Sequence, residues 1–94
     1  MYIALLSYIR PLDEVDALLP AHQDYLEQHY AAGVFVASGR REPRTGGVIL
    51  IREHPRSLVT EILEQDPFFK AGLTRYELLE FTPSRMLAGF ENYL

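Results

Sequence analysis

The sequence predicts an α+β fold in which four strands and two helices follow one another in the order βαββαβ. Three observations support this prediction: short apolar runs alternate with helical patterns, prolines and glycines mark the boundaries between them, and no internal repeat breaks the order. In the ferredoxin-like arrangement of this order, two helices cover one face of a four-stranded antiparallel sheet.

The first strand and the first helix occupy the amino-terminal third of the chain. The apolar run from Tyr2 to Ile9 predicts strand one, which stops at Arg10-Pro11 because proline has no N–H to give to a ladder. After a short turn, helix one is predicted from Pro20 to Ala32, since proline suits the first turn of a helix. Gly33 then ends this helix.

A hairpin is predicted next. Val34 to Ser38 and Val48 to Arg52 are two short apolar runs, and the loop between them contains glycines and a proline. Gly46-Gly47 lacks the spacing of a phosphate-binding loop, so we expect it to serve the turn into strand three.

The last third of the chain predicts a helix, a strand and a tail. The second helix begins near Pro55, carries its apolar side chains on one face and is closed by Asp66-Pro67. An irregular turn is expected from Phe68 to Gly72, and Tyr76 to Phe81 predicts strand four. The tail from Ser84 to Leu94 has moderate helical character.

Size and composition limit the classes of function. Residues 1–94 fit one domain, and 48% hydrophobic with 23% charged residues is ordinary globular usage. Without cysteine, chemistry must come from histidine, carboxylate or hydroxyl groups. A net charge of −4 argues against a nucleic-acid partner. The apolar start is too short to span a bilayer and lacks the flanks of a signal peptide, so we expect a cytoplasmic protein with no membrane partner.

Both faces of the predicted sheet are apolar. Strand one carries apolar side chains at odd and even positions alike, and so do Val34–Val36 and Val48–Ile51. Two helices cover only one side, so a homodimer through the other sheet face is the simplest explanation. The tail is a candidate for covering part of that face, in its own chain or in the partner. The alternative is that short strands carry apolar residues on both faces without any partner.

The topology gathers several chain ends at one edge of the sheet. The end of strand one, the start of helix one, the end of strand two and the end of helix two should meet there. His22 belongs to a helical stripe with Tyr25, Leu26 and His29, which predicts partial burial. If Asp66 holds one imidazole nitrogen, the other is poised for proton transfer. The alternative is that His22 only packs and Asp66 only ends a helix before proline.

Four further residues of this edge are candidates for ligand contact. Ser38 offers a hydroxyl group, and Arg40 offers a guanidinium group for a carboxylate on a ligand. Tyr8 and Phe68 are candidate apolar walls of a pocket. The alternatives are that Ser38 and Arg40 belong to an ordinary arginine-rich hairpin and that Tyr8 and Phe68 belong to the core.

Neither a metal ion nor another cofactor is expected. His22 and His29 stand two turns apart, beyond the i, i+4 spacing usual for two ligands on one helix. His54 precedes Pro55 in a turn at the opposite edge of the sheet and has no predicted role.

A set of short motifs runs through nearly the whole chain in a fixed order. The motifs are His22-x-x-Tyr25-Leu26, Gly33 before strand two, Ser38-Gly39 after it, Gly46-Gly47 before strand three, and Asp66-Pro67-Phe68. This set resembles the YciI-like (YCII-related) family. The resemblance implies a dimeric ferredoxin-like α+β barrel with His22 and Asp66 as an active pair in a pocket near the subunit interface.

The same resemblance implies a type of chemistry. One branch of the family resembles a dehydrochlorinase for chlorinated hydroxyquinols, so a lyase or isomerase step on a small ring or acid is the implied reaction. This sequence departs from the family pattern at two places that bear on which ligand it binds. Arg40 follows Gly39 where the family often has proline, and the tail beyond Pro83 extends past the usual family core.

Three hypotheses of function follow. The leading one is a small-molecule enzyme without a cofactor, in which His22 moves a proton, Asp66 fixes its tautomer, and Ser38 and Arg40 orient an anionic or phenolic substrate. The second is a non-catalytic binding or regulatory module that holds a metabolite in the same pocket. The third is a structural subunit whose dimer face is its purpose.

Overall fold

The computed structural model describes residues 1–94 and shows a four-stranded antiparallel sheet. The strands are β1 (Tyr2–Tyr8), β2 (Phe35–Arg40), β3 (Gly46–Ile51) and β4 (Thr74–Glu80). They lie in the order β2-β3-β1-β4, so β1 and β2 are parallel to each other with β3 between them. This topology confirms the predicted ferredoxin-like α+β arrangement.

The helices are more numerous than predicted. They are α1 (Leu12–Ala17), α2 (Leu19–Ala31), α3 (Arg56–Glu64), α4 (Pro67–Lys70) and a short 3₁₀ helix (Phe90–Tyr93). The expected turn before Pro20 is the helix α1, which can form because Pro11 stands at its N-cap rather than inside it. The expected irregular turn after Asp66 is the helix α4, because the Asp66 side chain caps it by accepting from the backbone N–H of Phe68.

Two apolar clusters hold the helices on one face of the sheet. The larger joins the even-numbered residues of β1 to buried side chains of α2 and α3, such as Tyr25 and Ile62. The smaller consists of Val15, Phe68 and Leu73, so it fixes α1 and α4 beside the end of β1. Burying one such side chain contributes about 1.5 to 3 kcal/mol relative to its exposure.

The β2–β3 hairpin differs in its register from a regular ladder. A bulge lies between Phe35 and Ala37, after which Ser38 pairs with Ile49 and Arg40 pairs with Gly47. Residues that face each other in an antiparallel pair share one face of the sheet, so Ser38 and Arg40 project toward the helices. The strand also runs two residues past its predicted end at Ser38.

Gly46 is the first residue of β3, not part of the turn before it. A Cβ atom at this position would lie 1.8 Å from the carbonyl oxygen of Leu6, so only glycine allows the two strands to approach this closely.

The other face of the sheet carries half-exposed apolar side chains. They belong to the two central strands and are Ile3, Leu5, Val48 and Leu50. The tail contacts Arg52, whose guanidinium donates to the backbone oxygen of Asn92 and lies over the ring of Tyr93. Leu87 in the tail is 86% exposed. No helix in the structure is both long enough and apolar enough to cross a membrane.

Candidate functional site

The structure brings His22 and Asp66 into direct contact. His22 lies in the first turns of α2, and its Nδ1 is 2.8 Å from Oδ1 of Asp66 at the start of α4. The same carboxylate oxygen accepts a hydrogen bond of 2.9 Å from the backbone N–H of Phe68. The helix cap and the imidazole contact therefore depend on one oxygen atom.

Burial differs between the two partners. The Asp66 side chain is 2% exposed, whereas His22 is 13% exposed. An ionised carboxylate only accepts hydrogen bonds, so in the tautomer that pairs with it His22 donates from Nδ1 and keeps Nε2 as an acceptor. The second Asp66 oxygen, Oδ2, is buried without a hydrogen-bond partner.

Aromatic contacts fix the plane of the imidazole. The rings of His22 and Phe68 stack with centroids 4.1 Å apart and planes inclined by 8°. Tyr8, at the end of β1, meets Phe68 edge to face with centroids 6.2 Å apart. We call Tyr8, Phe68 and His22 the aromatic wall.

Two other residues of the α2 stripe lie behind this wall. The Tyr25 hydroxyl donates to the backbone oxygen of Ile62, and burial together with the negative charge of Asp66 raises the pKa of Tyr25 well above its usual value. Tyr25 is therefore a neutral structural donor. His29 is buried between aromatic rings, its Nε2 has no partner, and burial lowers its pKa.

A cavity of about 540 Å³ opens beside the pair. It has room for a single-ring ligand. Five of the six site residues predicted from the sequence line it, namely Tyr8, His22, Ser38, Arg40 and Phe68. Asp66 lies behind His22 and outside the lining.

The polar lining residues have neighbours of their own. The Ser38 hydroxyl lies 2.6 Å from the hydroxyl of Tyr30 at the end of α2. Arg40 donates from Nε to Glu42 at 3.1 Å, and both side chains are largely exposed. Ser38 therefore keeps hydrogen-bonding capacity for a ligand beside its contact with Tyr30, whereas Arg40 is paired with a carboxylate at the surface.

Sequence reasoning missed three lining residues with polar side chains, Asp16, Gln23 and Arg44. Asp16 was assigned to a turn, so no helix face indicated its direction. Arg44 belongs to the only dense group of arginines, but nothing in the sequence showed which of them points inward. No group of three or more His, Asp and Glu side chains lies together in a way that could hold a metal ion.

The fold resembles a solved structure of known activity. It is 5-chloro-2-hydroxyhydroquinone dehydrochlorinase (TftG) from Burkholderia phenoliruptrix AC1100, in complex with 2,5-dihydroxybenzoquinone. The match has a TM-score of 0.72 and 23% sequence identity, and it covers 87% of this chain and 94% of that chain. At this identity the likeness shows the fold alone.

Sequence comparison identifies the family. None of the curated proteins is similar enough in sequence to be matched with the chain. The family model of the YCII-related domain matches residues 1–82, which is most of the chain. The protein therefore belongs to the YCII-related domain family.

Proposed function

We propose that the protein is a small-molecule enzyme in which His22 transfers protons through Nε2 and Asp66 holds the imidazole in the required tautomer. The observation that carries this proposal is the 2.8 Å contact between His22 Nδ1 and the buried Asp66, beside an open cavity. A carboxylate that orients an imidazole and stabilises its protonated form is a recurrent device of general acid–base catalysis.

The proposed step is a proton-coupled elimination or isomerisation. His22 Nε2 takes a proton from a hydroxyl group or an activated carbon of the substrate. In a lyase, the electron pair released by that bond expels a leaving group such as chloride; in an isomerase, the imidazolium returns the proton to another atom. The Asp66 carboxylate stabilises the imidazolium between these two events.

The aromatic wall favours a flat substrate. Tyr8 offers apolar surface to a ring, with the buried Phe68 in contact with it, while Ser38 and Arg40 are proposed to hold the polar substituents of the ring. The structural neighbour is named for a dehydrochlorination of a chlorinated hydroxyhydroquinone, so that compound is a rational first substrate to test.

The test is chloride release from 5-chloro-2-hydroxyhydroquinone by the wild type and by His22→Gln. General acid–base groups typically contribute about 10² to 10⁴ in rate, so the variant should lose at least about a hundredfold while remaining folded. Equal turnover in both proteins would exclude the proposed role of His22. Saturable binding without any turnover in the wild type would instead favour a metabolite-binding or regulatory module.

We also propose that the protein forms a homodimer through the sheet face that carries Ile3, Leu5, Val48 and Leu50. These side chains are half-exposed, and all of the helices that cover the sheet pack on its other face. Covering them with the same face of a second copy gives a closed, two-fold assembly.

A further inference from the structure

Asp16 and Arg44 form an ion pair in the lining of the cavity. Arg44 Nη2 donates to Asp16 Oδ1, which joins the end of α1 to the loop between β2 and β3. Both residues line the cavity. Proton transfer by His22 does not use this ion pair, so the pair has another role or none.

Arg44 continues the aromatic wall. Its guanidinium carbon lies 6.0 Å from the centroid of the Tyr8 ring, and Tyr8 contacts Phe68, which stacks on His22. One continuous surface therefore runs from the guanidinium group to the imidazole. A single ring placed against Tyr8 would have Arg44 toward one end and His22 toward the other.

The two arginines of the cavity are not equivalent. The Arg44 side chain is 31% exposed, whereas Arg40 is 68% exposed and is paired with Glu42 along the surface. Charge-assisted hydrogen bonds gain strength where water is partly excluded. Arg44 is therefore the better of the two for binding an anionic group inside the cavity.

The partner of Arg44 is easy to displace. Asp16 is 53% exposed, so water solvates its carboxylate when the ion pair opens. Exposed ion pairs contribute little to stability, and a ligand anion can replace Asp16 at low cost.

We propose that Arg44 is the anion-binding residue of the cavity and that Asp16 is its intramolecular competitor. The site then selects small ring compounds that carry an acidic substituent, a carboxylate or a phenolate. This inference rests on the proposed function, because it concerns the substrate class of the same cavity.

The test compares an anion with a neutral molecule of the same shape. Benzoate and benzamide are titrated into the protein, and dissociation constants are taken from backbone amide NMR shifts at constant ionic strength. The wild type should prefer benzoate. Arg44→Gln should weaken benzoate binding by about tenfold, the usual size for a lost charge-assisted contact, and leave benzamide unchanged.

Asp16→Asn should have the opposite effect. Removing the competitor should tighten benzoate binding by about twofold to fivefold, as expected for one exposed ion pair, again without affecting benzamide. Two matched controls distinguish the specific effects of Asp16 and Arg44 from the effect of a change in the net charge of the protein. Asp13→Asn removes an exposed carboxylate from the same helix, and Arg41→Gln removes an arginine that contacts Ser7 away from the cavity. Both should stay near the wild-type affinity.

Several outcomes would overturn the inference. They are no preference for benzoate in the wild type, equal benzoate affinity in Arg44→Gln, or equal effects of Asp13→Asn and Asp16→Asn. If the wild type turns over a substrate and Arg44→Gln binds benzoate as tightly as the wild type, the anion-binding inference is overturned and the proposed enzymatic function stands. If Arg44→Gln loses the benzoate preference but the wild type shows no turnover of any substrate tested, the anion-binding inference is supported and the proposed enzymatic function fails.

Discussion

The imidazole of His22 lies flat on the ring of Phe68, with centroids 4.1 Å apart and planes inclined by 8°. Phe68 stands two residues after Asp66, which holds Nδ1 of the same imidazole. One short helix, α4, therefore supplies both constraints: the stack fixes the plane of the ring, and the hydrogen bond fixes its rotation within that plane. Together they set the direction in which Nε2 points.

Asp66→Asn should remove the negative charge beside His22 while keeping the fold. Because Oδ1 contacts both His22 Nδ1 and the Phe68 N–H, the asparagine oxygen in its place can keep both hydrogen bonds. The variant then lacks the charge that stabilises the imidazolium, so turnover should fall by about tenfold to a hundredfold. Imidazole ¹⁵N shifts check that the ring proton stays on Nδ1. Unchanged turnover in the variant would contradict the proposed role of the Asp66 charge.

Phe68→Leu should impair the site more than Phe69→Leu does. Both phenylalanines lie in α4, but only Phe68 contacts His22; Phe69 packs on Tyr76. Phe68 is 2% exposed, so its truncation should also cost about 1 to 3 kcal/mol of unfolding free energy. Turnover and urea unfolding are measured for both variants. A larger loss of activity in Phe69→Leu would show that the stack does not position His22.

His29 should make the protein less stable in mild acid. Burial lowers the pKa of His29, so below its unfolded pKa of about 6.5 the unfolded chain binds a proton that the folded chain does not. The free energy of unfolding should therefore fall as the pH decreases, until the folded pKa is passed. The contribution is at most about 1.4 kcal/mol per pH unit. His29→Leu should have a shallower slope in urea unfolding from about pH 7.5 to 5. Parallel slopes would contradict this prediction.

Gly46→Ala should destabilise the fold strongly. A Cβ atom would meet the carbonyl oxygen of Leu6 at 1.8 Å, so the two central strands must separate. We expect a loss of about 3 kcal/mol or more. Gly39→Ala, in the same hairpin, is the matched control, because a Cβ there has no neighbour within 4 Å. Similar melting temperatures for the two variants would show that the strands can adjust to the added methyl group.

Leu50→Lys should weaken the proposed homodimer. Leu50 lies on the open sheet face beside Ile3, where a lysine buried in the dimer would lack a partner charge. Leu58→Lys is the control, because Leu58 is 40% exposed on α3, away from that face. Sedimentation velocity should show a dimer for the wild type and for Leu58→Lys, and a shift toward monomer for Leu50→Lys. A monomeric wild type would exclude the dimer.

The sequence alone determined the βαββαβ order and the edge at which the candidate site lies. Alternating apolar runs, prolines and glycines are local signals, so they indicated the βαββαβ order. That order fixes which strands are parallel, and it directs His22 and Asp66 to the same edge although 44 positions separate them. The motifs around these two residues also indicated the family that the comparison identifies.

Only the tertiary structure decided which side chains surround that edge. Whether the turn before Pro20 becomes α1 depends on the packing of Val15 with Phe68 and Leu73, residues distant in the sequence. Asp16 reaches the cavity for the same reason. Arg44 pairs there with Asp16, whereas Arg40 pairs with Glu42, because a guanidinium group takes its direction from the charges around it. Periodicity specifies the face of a helix or strand. It does not specify contacts between side chains on separate elements, because these depend on how the elements pack.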